Sequence, residues 1–599
     1  MHNSRFSQRK KLSVFALTSV QTKLLIACGY FVFSCGTAIG TTELSADTED
    51  CDLSKTIILN NKTLTVTHGE FAKSLVGPGT FKIKAGTTNF VFVGTGSHLT
   101  ALTVDGAISV QKNAIIGTKE LNVATSSLVG VGNSRGSVVI ISCGSVNVNG
   151  ATNFCIGGNE GAGTISAADN FTSSGTNNIY IGTGKDSTDS GSGMLHAKNA
   201  TLGGTATSVY LGGNKAGSQG FFVTGEGLTI NSGSSISIGY ESGAGSINVG
   251  TTLTCDGTIT CNNVDVDGFI VHGLNGENSN AKIILRNGTA MVLDGGGSYA
   301  GKFEGVGTIT KNGAAGLILS GNSTFTGTFN YNGGTLTLQN NLGSATINVA
   351  SGRTLTLDCS GTVGYTSSIS DAGSLQKNGA GTATLSGTLS YTGATTVSGG
   401  TLVATKALST SSVTINTSST AIMEAQSTLG TGTITITTGT LKLNNASGTT
   451  PQYVNTITGV GALQKTGAGT ATLSGTLSYS GTTTVSAGKL ILSSVLSGNG
   501  AITIASGATL EAQNTLGTSS ITDNGGLILN AAASYGNNVS GTGSLTTSSS
   551  GTTTLSGVLS YAGATTVSGG KLILSSALSG NGGITIASGA ELQAENTLG

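Results

Sequence analysis

Short runs of alternating apolar and polar residues recur along most of the chain, as in "TLTL" (residues 354–357), "TITIT" (433–437) and "KLIL" (489–492). Gly, Asn or Ser-Gly breaks each run after a few positions. Alternation this brief predicts half-buried strands, and the breakers predict the turns between them. No apolar 3.6-residue period is sustained beyond the N-terminus, so helix is expected only in an N-terminal signal.

The strands recur in sets. Aligned on an LSG triplet, residues 316–336 read "GLILSGNSTFTGTFNYNGGTL", 382–402 "TATLSGTLSYTGATTVSGGTL", 470–490 "TATLSGTLSYSGTTTVSAGKL" and 552–572 "TTTLSGVLSYAGATTVSGGKL", at offsets of 66, 88 and 82. Inside these units "TVSAG" around Val485 is answered by "TIASG" around Ile504, and "TVSGG" around Val567 by "TIASG" around Ile586, each 19 residues later. Nineteen residues suits one coil of a solenoid. The N-terminal half has its own repeat, an apolar strand end followed by a Gly-rich turn, with glycines 130, 157, 182, 212 and 239 aligned 25 to 30 apart.

One coil cannot bury its own apolar side chains, so successive coils must stack, strand on parallel strand, at roughly 4.8 Å per rung. About 28 coils of about 19 residues would make a rod on the order of 130 Å. The expected fold is all-β: a right-handed parallel β-helix of about 19 to 27 residues per coil, with a helix only in the N-terminal signal.

Composition sharpens this picture. Charged residues are only 9% of the chain, Gly numbers 96, and Trp is absent. Inward apolar positions and outward uncharged Ser, Thr and Asn ladders account for such a balance. Lys plus Arg equals Asp plus Glu at 27 each, which removes the basic footprint of a nucleic-acid partner.

The first residues have the form of an export signal. Arg5, Arg9, Lys10, Lys11 and Lys23 precede the apolar run 24–35, and small residues Gly36, Ala38 and Gly40 follow. The run is shorter than the ~20 residues a spanning helix requires. Cys51, Cys143, Cys155, Cys255, Cys261 and Cys359 then remain in an exported chain, where disulfides form. Cys255 and Cys261, flanking "DGTIT", are compatible with a local bridge. The organisation expected is a signal peptide at 1–40, a β-helix with Gly-rich coils at 41–299, and a second repeat family at 300–599.

Residues 461–490, "GALQKTGAGTATLSGTLSYSGTTTVSAGKL", keep the order KTGAG, TLSG, a Tyr-containing turn, TTV and GKL. This order closely resembles the passenger-associated transport repeat, also called the autotransporter-associated β-strand repeat. Residues 373–402 keep it, 543–572 keep it with "SSSG" in place of KTGAG, and 307–336 follow it loosely with "KNGAAG". The resemblance implies a passenger displayed at, or released from, the outer surface of a bacterium with an outer membrane. It implies an outer-membrane translocation barrel as partner, and adhesion to a host-cell or matrix surface. No such barrel lies within these residues, and Gly599 falls inside a repeat, so a longer natural chain is expected.

Candidate chemistry is sparse. "DSGSG" (189–193) resembles a serine-protease nucleophile loop, but Ser190 and Ser192 would need an upstream base, for which His68 and His98 are the only candidates beyond the signal. Asp256, Asp265 and Asp267 are the densest acidic group, as a polysaccharide-cleaving site would require. Asp265, Asp267 and Gly268 partly follow a calcium loop, yet Leu274 stands where its bidentate Glu belongs. Turn chemistry explains each of these better. The sequence therefore predicts no catalytic, cofactor-binding or metal residue, and threonine alternation favours wall ladders over an ice-binding face.

Overall fold

A computed structural model describes strands from residue 41 onward, and residues 152–598 continuously apart from 159, 183–189, 205, 214, 240–242 and 417–419. The expected signal at 1–40, together with Cys51 and His68, lies outside the described residues. The described residues form strands and turns with no helix among them, and every strand pairing is parallel. The all-β parallel solenoid expected from the alternation is borne out.

Each coil has three walls. Ala162–Ala167, Asn170–Ser174 and Thr176–Ile181 make one coil; Ser192–Ala197, Asn199–Leu202 and Ala206–Leu211 make the next, each strand paired with its counterpart below. Period-2 alternation sends every second side chain inward, where it stacks on the same position one rung away. Ile141, Ile165, Leu195, Phe222 and Ile247 form one such buried column. Burial of each contributes about 1.5–3 kcal/mol, so the core is built by repetition along the axis.

Coil size changes along the rod. Over the N-terminal coils a single wall climbs from Ile156 through Ile181, Leu211, Ile238 and Cys261 to Leu285. The step from Ile181 to Leu211 takes 30 residues, above the expected 19 to 27, since ten residues separate the strand ending at Ile181 from the one beginning at Ser192, against five between Ile156 and Ala162. Over the C-terminal coils the steps tighten, as from Thr382 through Thr401, Ile422 and Thr440 to Ala462. Val485 pairs with Ile504 and Val567 with Ile586, as the 19-residue spacing predicts.

The glycine alignment needs one correction. Gly130 pairs with Cys155 inside a strand, and the residue matching Gly157 is Gly132. Gly132, Gly157, Gly182, Gly212 and Gly239 all have positive φ, between 63° and 85°. A second column, Gly163, Gly193, Gly220 and Gly245, runs in register beside the first. The two columns pack backbone to backbone. A Cβ on Gly157 would stand 1.8 Å from Ser192 O, and one on Gly193 would stand 2.3 Å from Gly182 N.

The long repeat does not contain a whole number of coils. Four rungs above Thr382–Leu385 the same wall holds Ala462–Thr466, and the next TATL strand, Thr470–Leu473, lies one wall further on. Four rungs above Thr470–Leu473 stands Ser544–Thr547, followed on the next wall by Thr552–Leu555. The first repeat does the same after three rungs, from Leu317–Leu319 to Ser374–Asn378. Each repeat therefore starts one wall, or a third of a turn, beyond the last.

Candidate functional site: corners and outer faces of the repeats

The strand "ALQK" alternates as any wall strand does, so Leu463 points inward, Gln464 outward and Lys465 inward. Lys465 has no exposed surface. Its Nζ donates to Thr466 O at 2.7 Å, Gly467 O at 2.7 Å and, one coil on, Ala487 O at 3.2 Å. Lys377 does the same with Gly379 O at 2.9 Å, Gly399 O at 3.3 Å and Asn378 O. Lys311 reaches Gly313 O and Gly333 O. Corner carbonyls cannot join the strand ladder, and an ammonium with three donors satisfies several at once. Burial pushes the Lys465 amine down to about 8 and lowers Lys311 and Lys377 as well.

The fourth repeat departs from this pattern. Thr547 takes the lysine position; it is buried, and its Oγ1 has no hydrogen-bond partner. Ser549, in place of Gly467, instead pairs its hydroxyl with Thr553 at 3.2 Å.

A second plug closes the Leu-Gly corner. Asn455 Nδ2 donates to Leu429 O, Gly430 O and Gly432 O, and Asn537 Nδ2 to Leu516 O, Gly517 O and Ser519 O. Ser367 Oγ holds Gly343 O at 2.7 Å in the equivalent earlier corner. The tyrosine of each "SYxG" turn is buried too, and Tyr391, Tyr479 and Tyr561 pair their hydroxyls with Thr395, Thr483 and Thr565 at 2.6–2.7 Å.

Outward, the rungs are joined by uncharged ladders. Asn147 donates to Asn122 at 2.9 Å, Asn348 to Asn330 at 2.8 Å, and Tyr180 stacks on Tyr210 with ring centroids 4.9 Å apart. Ion pairs between rungs join Lys442 to Glu424 at 2.8 Å and Lys489 to Glu511 at 2.6 Å. A shallow open groove of about 500 Å³ is lined by Asn262, Ile284, Arg286, Asn287, Gly305 and Val306.

The motifs singled out in the sequence disperse. Ser190 is a corner residue whose carbonyl accepts from Glu160 N, and Ser192 begins a strand with its side chain exposed. His196 shares that face four residues on, about 13 Å along an extended strand, too far to act as a base. His98 lies in the strand Gly96–Val104. Asp256 Oδ1 accepts Glu277 N at 2.9 Å and Asn278 N at 3.0 Å, which is turn-building work. Asp265 and Asp267 lie in Val264–Asn275, whose Leu274 is an inward core residue. Among the described residues no cluster of His, Cys, Asp or Glu could hold a metal ion.

Cys255 and Cys261 do not form the local bridge. Each is a buried free thiol, as are Cys143 and Cys359. Leu253–Cys255 and Thr258–Cys261 belong to consecutive walls, where Cys255 pairs with Ile230 and Cys261 with Ile238 as small apolar members of two columns. Burial pushes the Cys255 thiol up to about 12. Sequence reasoning also missed the lysine and asparagine plugs. The signal was present for the lysine, a charged residue at an inward position of an alternating strand.

Comparison with known families matches the passenger-associated-transport-repeat at residues 309–338, 375–404, 463–492 and 545–574. The chain is also 34% identical over 283 residues to the adhesin BmaC autotransporter of Brucella suis biovar 1 (strain 1330). That match covers 43% of this chain and 8% of the relative, so the chain spans under a tenth of the relative's length. No solved structure matches. The resemblance drawn from the KTGAG–TLSG order is borne out by four matched repeats, each within two residues of its expected place. The chain carries the repeats of an autotransporter passenger, which implies export to the cell surface or extracellular space of a Gram-negative bacterium.

Proposed function

We propose that this chain is a non-catalytic, adhesive passenger: residues 41–299 form a β-helix with Gly-rich coils, and residues 300–599 support passage through an outer-membrane barrel by stacking outside. The observation that carries this reading is the similarity to an adhesin combined with repeats that template one another rung by rung. Nearest-neighbour stacking lets folding propagate from one end as the chain emerges. The outward Asn, Ser and Thr ladders offer a long, nearly uncharged surface to a host-cell or matrix partner.

The test is display of residues 41–599 on a heterologous autotransporter barrel in a Gram-negative host. Surface protease accessibility reports export, and adherence to cultured cells and to matrix-coated wells reports binding. Export with adherence above the barrel-only strain is expected. Export without adherence removes the adhesive role, and retention in the periplasm removes the transport role of the repeats.

A further inference from the structure

One corner frame recurs where the strands Thr346–Val349, Thr433–Ile436 and Ile521–Asp523 end. In each, the last inward side chain lies under a glycine of the next coil, whose N–H donates to that residue's carbonyl: Gly373 to Val349 O at 2.8 Å, Gly461 to Ile436 O at 2.8 Å and Gly543 to Asp523 O at 2.7 Å. A Cβ on that glycine would collide with Val349 Cγ1, Ile436 Cγ2 or Asp523 Oδ1. The first two side chains are aliphatic, as an inward column requires. The third is a carboxylate with no exposed surface, paired in register with Ile504 below.

Asp523 is followed by Asn524 and Gly525, and its carboxylate is turned onto them. Oδ1 accepts from Gly525 N at 2.9 Å, while Oδ2 is buried with no hydrogen-bond partner. Asn524 is exposed, and its Oδ1 accepts from Thr542 N at 3.2 Å and Thr542 Oγ1 at 3.3 Å. A backbone N–H only donates, which fixes the amide oxygen on that side. The turn thus brings together a carboxylate on the Gly525 N–H, a nitrogen one peptide unit from the Asn524 carboxamide, and two donors on that carboxamide's oxygen. Other Asn-Gly corners offer the glycine nitrogen only a peptide carbonyl, which is no base. Gly276 N donates to Ser298 O at 3.0 Å, Gly313 N to Leu293 O at 3.4 Å and Gly333 N to Lys311 O at 3.1 Å.

We propose that Asn524 is a site of self-modification, at which Gly525 N closes on the Asn524 side chain with Asp523 as base and the amide nitrogen leaves as ammonia. Asp523 Oδ1 takes the Gly525 N–H proton as the N–Cγ bond forms, and the negative charge on Asn524 Oδ1 is held by the two Thr542 donors. The Cγ–NH2 bond then breaks, the departing nitrogen takes the proton from Asp523, and a five-membered succinimide remains. Water from the exposed side opens the ring at either carbonyl, giving aspartate or isoaspartate and restoring the Gly525 N–H. One water enters and one ammonia leaves, with nothing oxidised or reduced. Burial pushes the Asp523 carboxyl up from its ordinary value, so its anion is a stronger base than an exposed carboxylate. The reaction happens once per chain and leaves a new carboxylate at an outer corner. It adds to the non-catalytic reading above without depending on it.

The experiment follows the purified chain at neutral pH by digestion and mass spectrometry, with a synthetic peptide of residues 519–529, whose only asparagine is Asn524, as the unfolded reference. Residue 524 is expected to change from amide to acid, through a species lighter by one ammonia, on the order of tenfold or more faster in the folded chain than in the peptide. Asn275, Asn312 and Asn332 should keep their amides over the same period. Asp523→Ile, which puts the side chain of the Ile436 corner into the same frame, should bring the folded rate down to that of the peptide or below. Thr542→Val, which removes one of the two donors, should slow it several-fold. A folded rate no faster than the peptide's overturns the proposal, as does a rate that survives Asp523→Ile or equal loss at Asn275, Asn312 and Asn332. Circular dichroism checks that the variants fold, and the comparison of chain with peptide needs no variant.

Discussion

The two halves of the rod close their corners in opposite ways. In the wide N-terminal coils, two interlocked glycine columns remove side chains so that the backbone of one coil touches the next. In the narrow C-terminal coils, polar side chains are added inward: lysine and asparagine donate to the corner carbonyls, and buried tyrosine hydroxyls pair with threonine hydroxyls. Both solutions answer the same requirement, that no buried backbone group is left without a partner. The first depends on sterics and is insensitive to pH. The second depends on hydrogen bonding and, at the lysines, on charge.

Gly157 is where a single substitution should separate the two solutions most strongly. Gly157→Val adds a Cβ 1.8 Å from Ser192 O at a residue whose φ is 63°. It is expected to cost on the order of 3 kcal/mol or more and to raise amide hydrogen exchange in Ser192–Ala197 and Thr176–Ile181, with the C-terminal coils unaffected. Unchanged exchange there would mean that the glycine columns are not what holds the wide coils.

Next in size is Lys465→Ala, which strips the donor from three corner carbonyls and is expected to cost about 2–3 kcal/mol. The lysines also give the narrow coils a pH signature. Lys465 loses its proton near 8 when folded and near ~10.4 when unfolded. Between pH 8 and 10 the unfolded chain therefore holds more protons, and stability rises with pH by at most about 1.4 kcal/mol per unit per lysine. Above pH 10 the trend reverses, because Tyr453 and Tyr479, pushed up to about 12 by burial, ionise first in the unfolded chain. Urea unfolding followed from pH 7 to 10 should show the rise in the wild type and a smaller one in Lys465→Met. A flat wild-type profile would contradict the lowering of the Lys465 proton affinity by burial.

Asn455→Leu should cost about 2 kcal/mol, since the corner carbonyls of Leu429, Gly430 and Gly432 lose their shared donor. Exchange at Gly432 and its neighbours is the local readout. The smallest effect is expected at Lys442→Gln on the outer face. Glu424 keeps Asn444 at 2.7 Å and Gln426 at 3.3 Å as donors, and a partly exposed ion pair contributes roughly 0.5–1 kcal/mol. A larger loss there would mean that the outer pairs share the work of the plugs.

Much of the fold was legible because a solenoid repeats its own evidence. The 19-residue echo of Val485 in Ile504 is a wall register written directly into the sequence. The misassignment of Gly130 has a physical source: in "LVGVGN" two glycines lie two residues apart, and only backbone conformation distinguishes the strand glycine from the left-handed one at Gly132. The second glycine column was hidden for a related reason, since its members have ordinary strand positions and matter only through what stands opposite. The cysteines misled because short spacing reads as proximity, whereas a wall boundary at residues 256–257 separates Cys255 from Cys261. Inward Lys465 could have been found by carrying the alternation of "ALQK" to its last residue.

The one-wall advance of each repeat decides how the rod meets its surroundings. A repeat with a whole number of coils would aim the same loop in the same compass direction every time, leaving the rod with a front and a back. Here Thr382–Leu385, Thr470–Leu473 and Thr552–Leu555 face three bearings in turn. Within about a dozen coils, on the order of 60 Å, each kind of outer loop has been presented on every side. A fibre anchored at one end and free to be approached from anywhere would then need no particular rotation about its own axis to be met.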